Sequence, residues 1–220
     1  MVEHKSHPEW LTVESYLSDT LLKPDAALEQ AVADAEAAGL PAIEVAPTAG
    51  KFLMLLARIS GARRVLEIGT LAGYSSIWLA RGLPADGSVI SCEFLAKHAE
   101  VARRNIDRAG VGEKVEIRLG SALDTLATLQ GQFDLIFIDA DKGNNVNYLR
   151  RALELSHPGT VIVVDNVIWE GLFLDPEAQG DELAIRQTLE FLGASDQLEA
   201  TAIQTASSKG WDGFAVAVVK

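Results

Sequence analysis

Cysteine is nearly missing: Cys92 is the only one in 220 residues, which excludes an internal disulfide and fits a reducing compartment. It lies inside the apolar run Ser88-Val89-Ile90-Ser91-Cys92, so it reads as a packed small hydrophobe rather than a reactive thiol. Zinc ligands are as scarce. His4, His7, His98 and His157 show no mutual metal-ligand spacing and read as surface or satisfied core side chains. Positive charge is short too, with 19 Lys and Arg against 31 Asp and Glu and a net charge of −12. That balance disfavours nucleic acid or an anionic membrane as a general partner, because both need a basic footprint. It leaves room only for a local strip such as Arg63, Arg64, Arg103, Arg104 and Arg108. The longest apolar runs are broken well short of a membrane span, and Met1-Val2-Glu3-His4-Lys5 has no signal-peptide core behind it, so a cytoplasmic location is expected. There is no fixed-period repeat, low-complexity tract or linker. One domain over residues 1–220 is expected, with 1–40 a helical cover and 60–220 the core.

What is present is an alternation. Amphipathic helices are predicted from Glu9 to Leu22, from Asp25 to Ala38 and from Thr48 to Ile59. The first two either cover a site or pair with a second subunit, with Trp10 and Tyr16 available for either contact. Strands then alternate with helices at the spacing of βαβ units: strands at Arg64–Ile68, Ser88–Glu93, Val115–Leu119, Leu135–Ile138 and Thr160–Val164, helices at Tyr74–Arg81, Ala96–Ala109, Leu123–Leu129 and Asn144–Leu155. A doubly wound, mostly parallel sheet follows. After a solvated loop over Asp175 to Glu182 and a helix to Leu192, strands at Leu198–Ile203 and Gly213–Val219 are expected to add an antiparallel edge pair.

Two of these strands carry the chemistry. The runs Phe133 to Ile138 and Val161 to Val164 are apolar and rich in β-branched residues, and each stops at a carboxylate, Asp139 and Asp165, the latter followed by Asn166. In open α/β sheets ligands bind beyond the carboxyl ends of the strands. Three oxygen donors there suit a hard cation, Mg²⁺, Mn²⁺ or Ca²⁺. Either Asp alone reads as well as a loop or helix cap; the joint pattern, with Lys142 three residues past the first Asp, points to function. Asp141 is open between the adenine side and solvent, and Trp169 between an aromatic wall for a flat acceptor and a core or interface role. Trp211 and Asp212, in the loop of the C-terminal hairpin, are open between shaping the pocket and forming a turn, with the turn preferred.

The first strand feeds Glu67-Ile68-Gly69-Thr70-Leu71-Ala72-Gly73-Tyr74-Ser75. Its spacing is G-x-x-x-G, so the dinucleotide fingerprint is not met, and an acid before the turn repels a pyrophosphate and suits a cationic ligand. Gly69 allows the tight turn and Gly73 close packing of the following helix on the sheet. Glu93, with Phe94 beside it, ends the next strand where an acid takes ribose hydroxyls. Gly120-Ser121-Ala122 ends the third, in place for the adenine edge. An adenosine with a cationic tail fits both acids, and S-adenosylmethionine is that ligand.

These residues, with Ile138-Asp139-Ala140-Asp141-Lys142 and Val164-Asp165-Asn166-Val167, resemble the cation-dependent O-methyltransferases of the catechol and caffeoyl-CoA type from about Val45 to the C-terminus. Ser208-Lys209-Gly210-Trp211-Asp212-Gly213-Phe214-Ala215 is similar to the bacterial branch. The resemblance implies a Rossmann-like class I methyltransferase sheet, mostly parallel with an antiparallel C-terminal strand and helices on both faces. It implies that Asp139, Asp165 and Asn166 hold Mg²⁺ or a similar ion and that Lys142 lies beside the acceptor hydroxyl. It further implies that Val45, Glu67, Gly69, Ser75, Glu93, Ala122 and Asp139 line the cofactor pocket, that Thr70, Gly73, Phe94, Gly120 and Ser121 contribute, and that the chain is a homodimer.

The expected reaction is methylation of a small catechol-like aromatic, with Lys142 and Asp139 catalytic and Lys142, Asn166 and Trp169 against the acceptor. A divalent ion lowers a phenol's pKa, and Lys142 accepts the proton or stabilises the phenolate. The alternatives are a hydroxylated tRNA base as acceptor, a nicotinamide-dependent oxidoreductase, which the glycine spacing and Glu67 oppose, and a nucleotide-binding module without catalysis.

Overall fold

The apolar strand runs become the centre of a seven-stranded sheet in the computed structural model, which describes residues 7–220. His4 and the N-terminal stretch Met1 to Lys5 lie outside the described residues. In chain order the elements are α1 (Pro8–Leu21), α2 (Ala26–Ala37), α3 (Pro47–Ile59), β1 (Arg64–Ile68), α4 (Tyr74–Gly82), β2 (Ser88–Glu93), α5 (Ala96–Arg108), β3 (Val115–Leu119), α6 (Ala122–Thr128), β4 (Phe133–Ile138), α7 (Asn145–Glu154), β5 (Ser156–Asp165), α8 (Gly180–Ala194), β6 (Leu198–Ser207) and β7 (Gly210–Val219). The strand order is β3-β2-β1-β4-β5-β7-β6, parallel from β3 to β5.

Because side chains alternate across a strand, each central strand feeds two cores. Val65, Val89, Leu135, Phe137, Val161 and Val163 pack with residues of α3, α4 and α5. Leu66, Ile68, Ile136, Ile138, Ile162 and Val164 pack on the other face with α6, α7 and α8. Both faces are thereby covered, as a parallel sheet requires. Local signals set the helix starts: Asp25 accepts from the N–H groups of Ala27 and Leu28, both at 3.1 Å, to cap α2, and Pro47 opens α3. No helix among the described residues is long and apolar enough to cross a membrane.

The tail adds the expected antiparallel pair at the sheet edge, with β7 antiparallel to both β5 and β6. The hairpin is longer than the apolar pattern suggests, since Ser207 pairs with Gly210 and the turn is Ser208 and Lys209. Trp211 and Asp212 are therefore inside β7, not in a turn. Asp212 between Gly210 and Gly213 hid the strand, whose ladder there rests on cross-strand pairing and on the Trp211 Nε1–H donated to Gln204 Oε1 at 3.0 Å.

β5 likewise begins earlier than expected, at Ser156. The Thr160 hydroxyl donates to the Phe133 carbonyl at 2.6 Å and accepts from the His157 N–H at 3.0 Å, carrying the pairing across a register shift. The stretch expected as a loop is shorter, because α8 starts at Gly180.

Candidate functional site

The strand order changes direction between β1 and β4, and a crevice at such a switch point is where α/β sheets bind ligands. Gly69, after β1, stands at φ 104° and packs against the backbone after β4, where a Cβ would meet the Asp139 carbonyl oxygen at 2.1 Å. The Asp139 N–H donates to the Ile68 carbonyl at 2.8 Å. Close approach to Asp139 thus joins the tight turn as the reason for glycine here. Gly73, at φ 83°, would press a Cβ on Ile106 and Ala102 at 3.0 and 3.3 Å, so its packing partner is α5 and not the sheet.

The two acids assigned to the cofactor have distinct surroundings. Glu67 is fully enclosed beneath the turn and does not open onto the crevice. Its Oε2 accepts from the hydroxyls of Ser76 and Ser91, the latter at 2.5 Å, while Oε1 has no hydrogen-bond partner. Burial pushes its pKa up to about 7 against the pull of the Ser75, Ser76 and Ser91 hydroxyls. Ser91 also meets Thr70 Oγ1 at 2.5 Å, tying this network to the turn itself. Glu93 was expected to keep its carboxylate for hydroxyls. Instead Oε2 accepts from the N–H of Leu71 at 2.9 Å and Thr70 at 3.3 Å, and Oε1 from Leu95 at 2.9 Å with His98 Nδ1 at 3.4 Å. Both lone pairs of Oε2 are thus engaged by the turn, and Oε1, with one N–H donor, keeps acceptor capacity for a ligand.

Phe94 is 72% exposed at the end of β2, a ring face open to a planar ligand. The Gly120 N–H donates to the Glu93 carbonyl at 2.8 Å, which brings the ends of β2 and β3 together. Ser121 caps α6, which begins at Ala122. Ser75 lies buried in the first turn of α4. Thr70, Gly73, Ser75, Glu93, Phe94 and Gly120 to Ala122 therefore gather on the carboxyl edge of β1, β2 and β3, while Glu67 sits below it. Cys92 is buried, and its thiol is pushed up to about 12, mainly by that burial and then by Glu67.

On the other side of Gly69, β4 and β5 pair Ile138 with Val164, so Asp139 and Asp165 leave adjacent strands together. Lys142 Nζ lies 3.3 Å from Asp139 Oδ1 and 3.4 Å from the Asp165 carbonyl oxygen. Asp165 is pushed above the usual carboxylate range, first by burial and then by the Asp139 charge, with Lys142 opposing. Asn166 follows at φ 57° and donates its Nδ2–H to Asp212 Oδ2 at 2.9 Å. Val45, Phe52, Phe137, Val163 and Phe214 line a narrow apolar slot beside Asp165, which brings the distant Val45 to the site.

Two carboxylates and an amide, Asp139, Asp165 and Asn166, are oxygen ligands of the kind that fits a hard divalent cation. Among the described residues no three His, Cys, Asp or Glu side chains converge as a metal site. Asp141 is turned to the start of α7, where Tyr148 Oη donates to it at 2.5 Å and Asn144 Nδ2 at 2.6 Å, which leaves it out of the edge. Trp169 is half-buried at φ 41°, next to the site on the strained loop after β5.

Asp212 is the residue that sequence reasoning misplaced. Besides Asn166, it accepts from the N–H groups of Ile168, Trp169 and Gly213 at 3.3, 2.9 and 2.8 Å. The Asp212-Gly213 pair was visible, but its partners lie some forty positions away. Ser76 and Ser91 were missed too; the one signal was a lone hydroxyl in the middle of the otherwise apolar β2.

Comparison with known proteins agrees with this geometry. Residues 19–206 match the profile of a family described as O-methyltransferase, reaching further upstream than the motifs alone. The catechol O-methyltransferase of Mycobacterium tuberculosis is 54% identical over 209 residues, 94% of this chain and 95% of that protein. The O-methyltransferase of Bacillus cereus, solved in complex with SAH, is 50% identical with a TM-score of 0.94, covering 96% of this chain and 99% of that one. TomG of Streptomyces achromogenes, an O-methyltransferase involved in tomaymycin synthesis and solved in complex with SAM, is 43% identical with a TM-score of 0.94 and covers 100% of both chains. With the crevice, the sheet order and these matches in agreement, the chain belongs to the O-methyltransferase family and is an S-adenosylmethionine-dependent O-methyltransferase of the catechol and caffeoyl-CoA type.

Proposed function

We propose that this enzyme methylates one hydroxyl of a small catechol-like aromatic in a reaction that requires a divalent ion, Mg²⁺ or alternatively Mn²⁺ or Ca²⁺. The observation that carries the reading is the pairing of Asp139 and Asp165 on adjacent strands with the Lys142 ammonium between them. Asp139, Asp165 and Asn166 would hold the ion. When bound, the ion supplies Lewis acidity toward a phenolic hydroxyl, and S-adenosylmethionine supplies an electrophilic methyl group.

The chain does the rest by position. Lys142, held between the Asp139 carboxylate and the Asp165 carbonyl, stabilises the phenolate as an ammonium or, as the neutral amine, takes the phenolic proton. Trp169 provides a wall for the flat acceptor, and Asn166 borders it. The slot around Val45, Phe52 and Phe214 keeps water away, which favours a step in which a cation and an anion neutralise each other. Gly69, Thr70, Gly73 and Ser75 receive the methionine end of the cofactor, Glu93 the ribose, and Phe94 with Gly120, Ser121 and Ala122 the adenine. Glu67 acts on the sulfonium charge from beneath the turn.

Two further points belong to the same reading. No residue of α1 is buried, and Leu11, Val13, Tyr16, Leu17 and Leu21 are exposed, which supports a homodimer whose second copy covers this helix. The basic strip that a tRNA acceptor needs is largely neutralised: Arg63 pairs with Asp86, Arg104 with Glu100 and Arg108 with Asp34, while Arg64 bonds the carbonyls of Gln130 and Gln132.

The test is turnover of a catechol acceptor panel with labelled S-adenosylmethionine after chelation and dialysis. Activity should vanish and return on adding Mg²⁺. Full turnover by the metal-stripped protein would remove the ion, and methylation of tRNA but of no catechol would replace the acceptor.

A further inference from the structure

The loop after β5 holds three non-glycine residues in the left-handed region, Asn166, Trp169 and Glu170, at φ 57°, 41° and 55°. Such backbone persists only where surrounding contacts over-determine it. One side chain makes three of the contacts to this loop: the two oxygens of Asp212 accept the Nδ2–H of Asn166 and the N–H groups of Ile168 and Trp169. Asp212 is itself fixed by its place in β7. The Val167 N–H donates to the Gly213 carbonyl at 3.0 Å, and Gly213 packs so closely that a Cβ would stand 2.2 Å from the Ile203 carbonyl oxygen.

An amide side chain has two unlike ends, and only its oxygen can ligate a cation. Resting on the metal reading above, we propose that Asp212 is a positioning residue: by accepting the Asn166 Nδ2–H it commits the Asn166 carbonyl oxygen to the divalent ion. Asp212 thus reaches the ion through Asn166, as outer partners orient metal ligands elsewhere. This is a hydrogen-bond polarity, so exchanging the two side chains reverses donor and acceptor and preserves the bond.

The experiment is calorimetric titration of Mn²⁺ into the metal-stripped full chain, paired with hydrogen exchange over residues 166–171. Asp212→Asn keeps an oxygen for the Ile168 and Trp169 N–H groups, so their protection stays near wild type. Its new amide must donate to Asn166, which turns the wrong end of Asn166 to the ion, and Mn²⁺ binding weakens about 10- to 100-fold. Asn166→Asp on the Asp212→Asn background restores affinity. Asn166→Asp alone sets two carboxylates against each other and gives no comparable gain, so the double-mutant cycle shows strong coupling. Equal affinity of wild type and Asp212→Asn overturns the assignment, as does a loss accompanied by loss of loop protection, or a cycle without coupling. Absence of Mn²⁺ uptake by the wild type would strike the metal reading itself, a distinct result.

Discussion

Gly69 and Asp139 are locked backbone to backbone: a single carbon added to Gly69 would stand 2.1 Å from the Asp139 carbonyl oxygen. The turn assigned to the cofactor and the strand end assigned to the metal therefore share one wall, and neither can move without the other. Methyl transfer needs donor and acceptor aligned to within a fraction of an ångström, and this contact supplies that alignment without a mobile part.

Gly69→Ala is expected to fail on two counts, a Cβ at φ 104° and the clash with Asp139. The combined effect should be about 3 kcal/mol of destabilisation, read as a lower denaturant midpoint, with turnover lost well below the unfolding midpoint because the shared wall has shifted.

Lys142→Ala should lower kcat by about 10²- to 10⁴-fold, the usual reach of a positioned proton acceptor, while KM for S-adenosylmethionine changes little. The pH–rate profile should lose the limb that rises with pH as a proton acceptor becomes deprotonated. Near-normal turnover with an unchanged profile would take Lys142 out of the mechanism.

Glu67→Gln separates stability from binding. The folded carboxyl is held up to about 7, against 4.5 when unfolded, so between those values the folded chain keeps a proton that the unfolded chain has released. Stability therefore falls as pH rises through this window, and the loss is complete above about pH 7. The Gln variant should be more stable above pH 7 by about 3 kcal/mol and show a flatter pH–stability curve. Its affinity for S-adenosylmethionine should drop, because the buried charge beneath the sulfonium is gone.

At the opposite edge of the sheet, His157 Nε2 lies 3.0 Å from Asp134 Oδ1. A hydrogen bond to the Pro158 carbonyl and then the Asp134 carboxylate raise the His157 pKa. Asp134 is lowered: its partial burial is outweighed by hydrogen bonds from the Arg63 and Arg64 N–H groups and from His157. The His157 contribution is fully present below its unfolded pKa and lost as pH rises through the folded one; that of Asp134 is present above its unfolded pKa and lost as pH falls. His157→Ala should therefore cost at most about 1 kcal/mol, since both side chains are partly solvated, and only in the mildly acidic range, measured by urea unfolding at pH 5.5 and 8.5.

Much of this protein is written in its chain order. Apolar β-branched runs separated by amphipathic helices dictate a parallel sheet, because such strands must be covered on both faces. A carboxylate ending two of those runs places Asp139 and Asp165 at one edge whatever the details of packing. Glycine after β1 and acids ending β1 and β2 likewise confine a ligand to the crevice. Which atoms remain available there was settled by the fold. Glu67 reads as a ligand-facing acid until Ser76 and Ser91, from two other elements, enclose it. Glu93 reads as a free bidentate acceptor until the turn after β1 donates its own N–H groups. Asp212 reads as a turn residue because the antiparallel insertion of β7 beside β5, which sets it against Asn166, is a pairing between segments some forty residues apart. Local pattern specifies where a backbone element begins and which face it buries; only tertiary pairing decides which polar atoms are already satisfied, and that remainder is what a substrate meets.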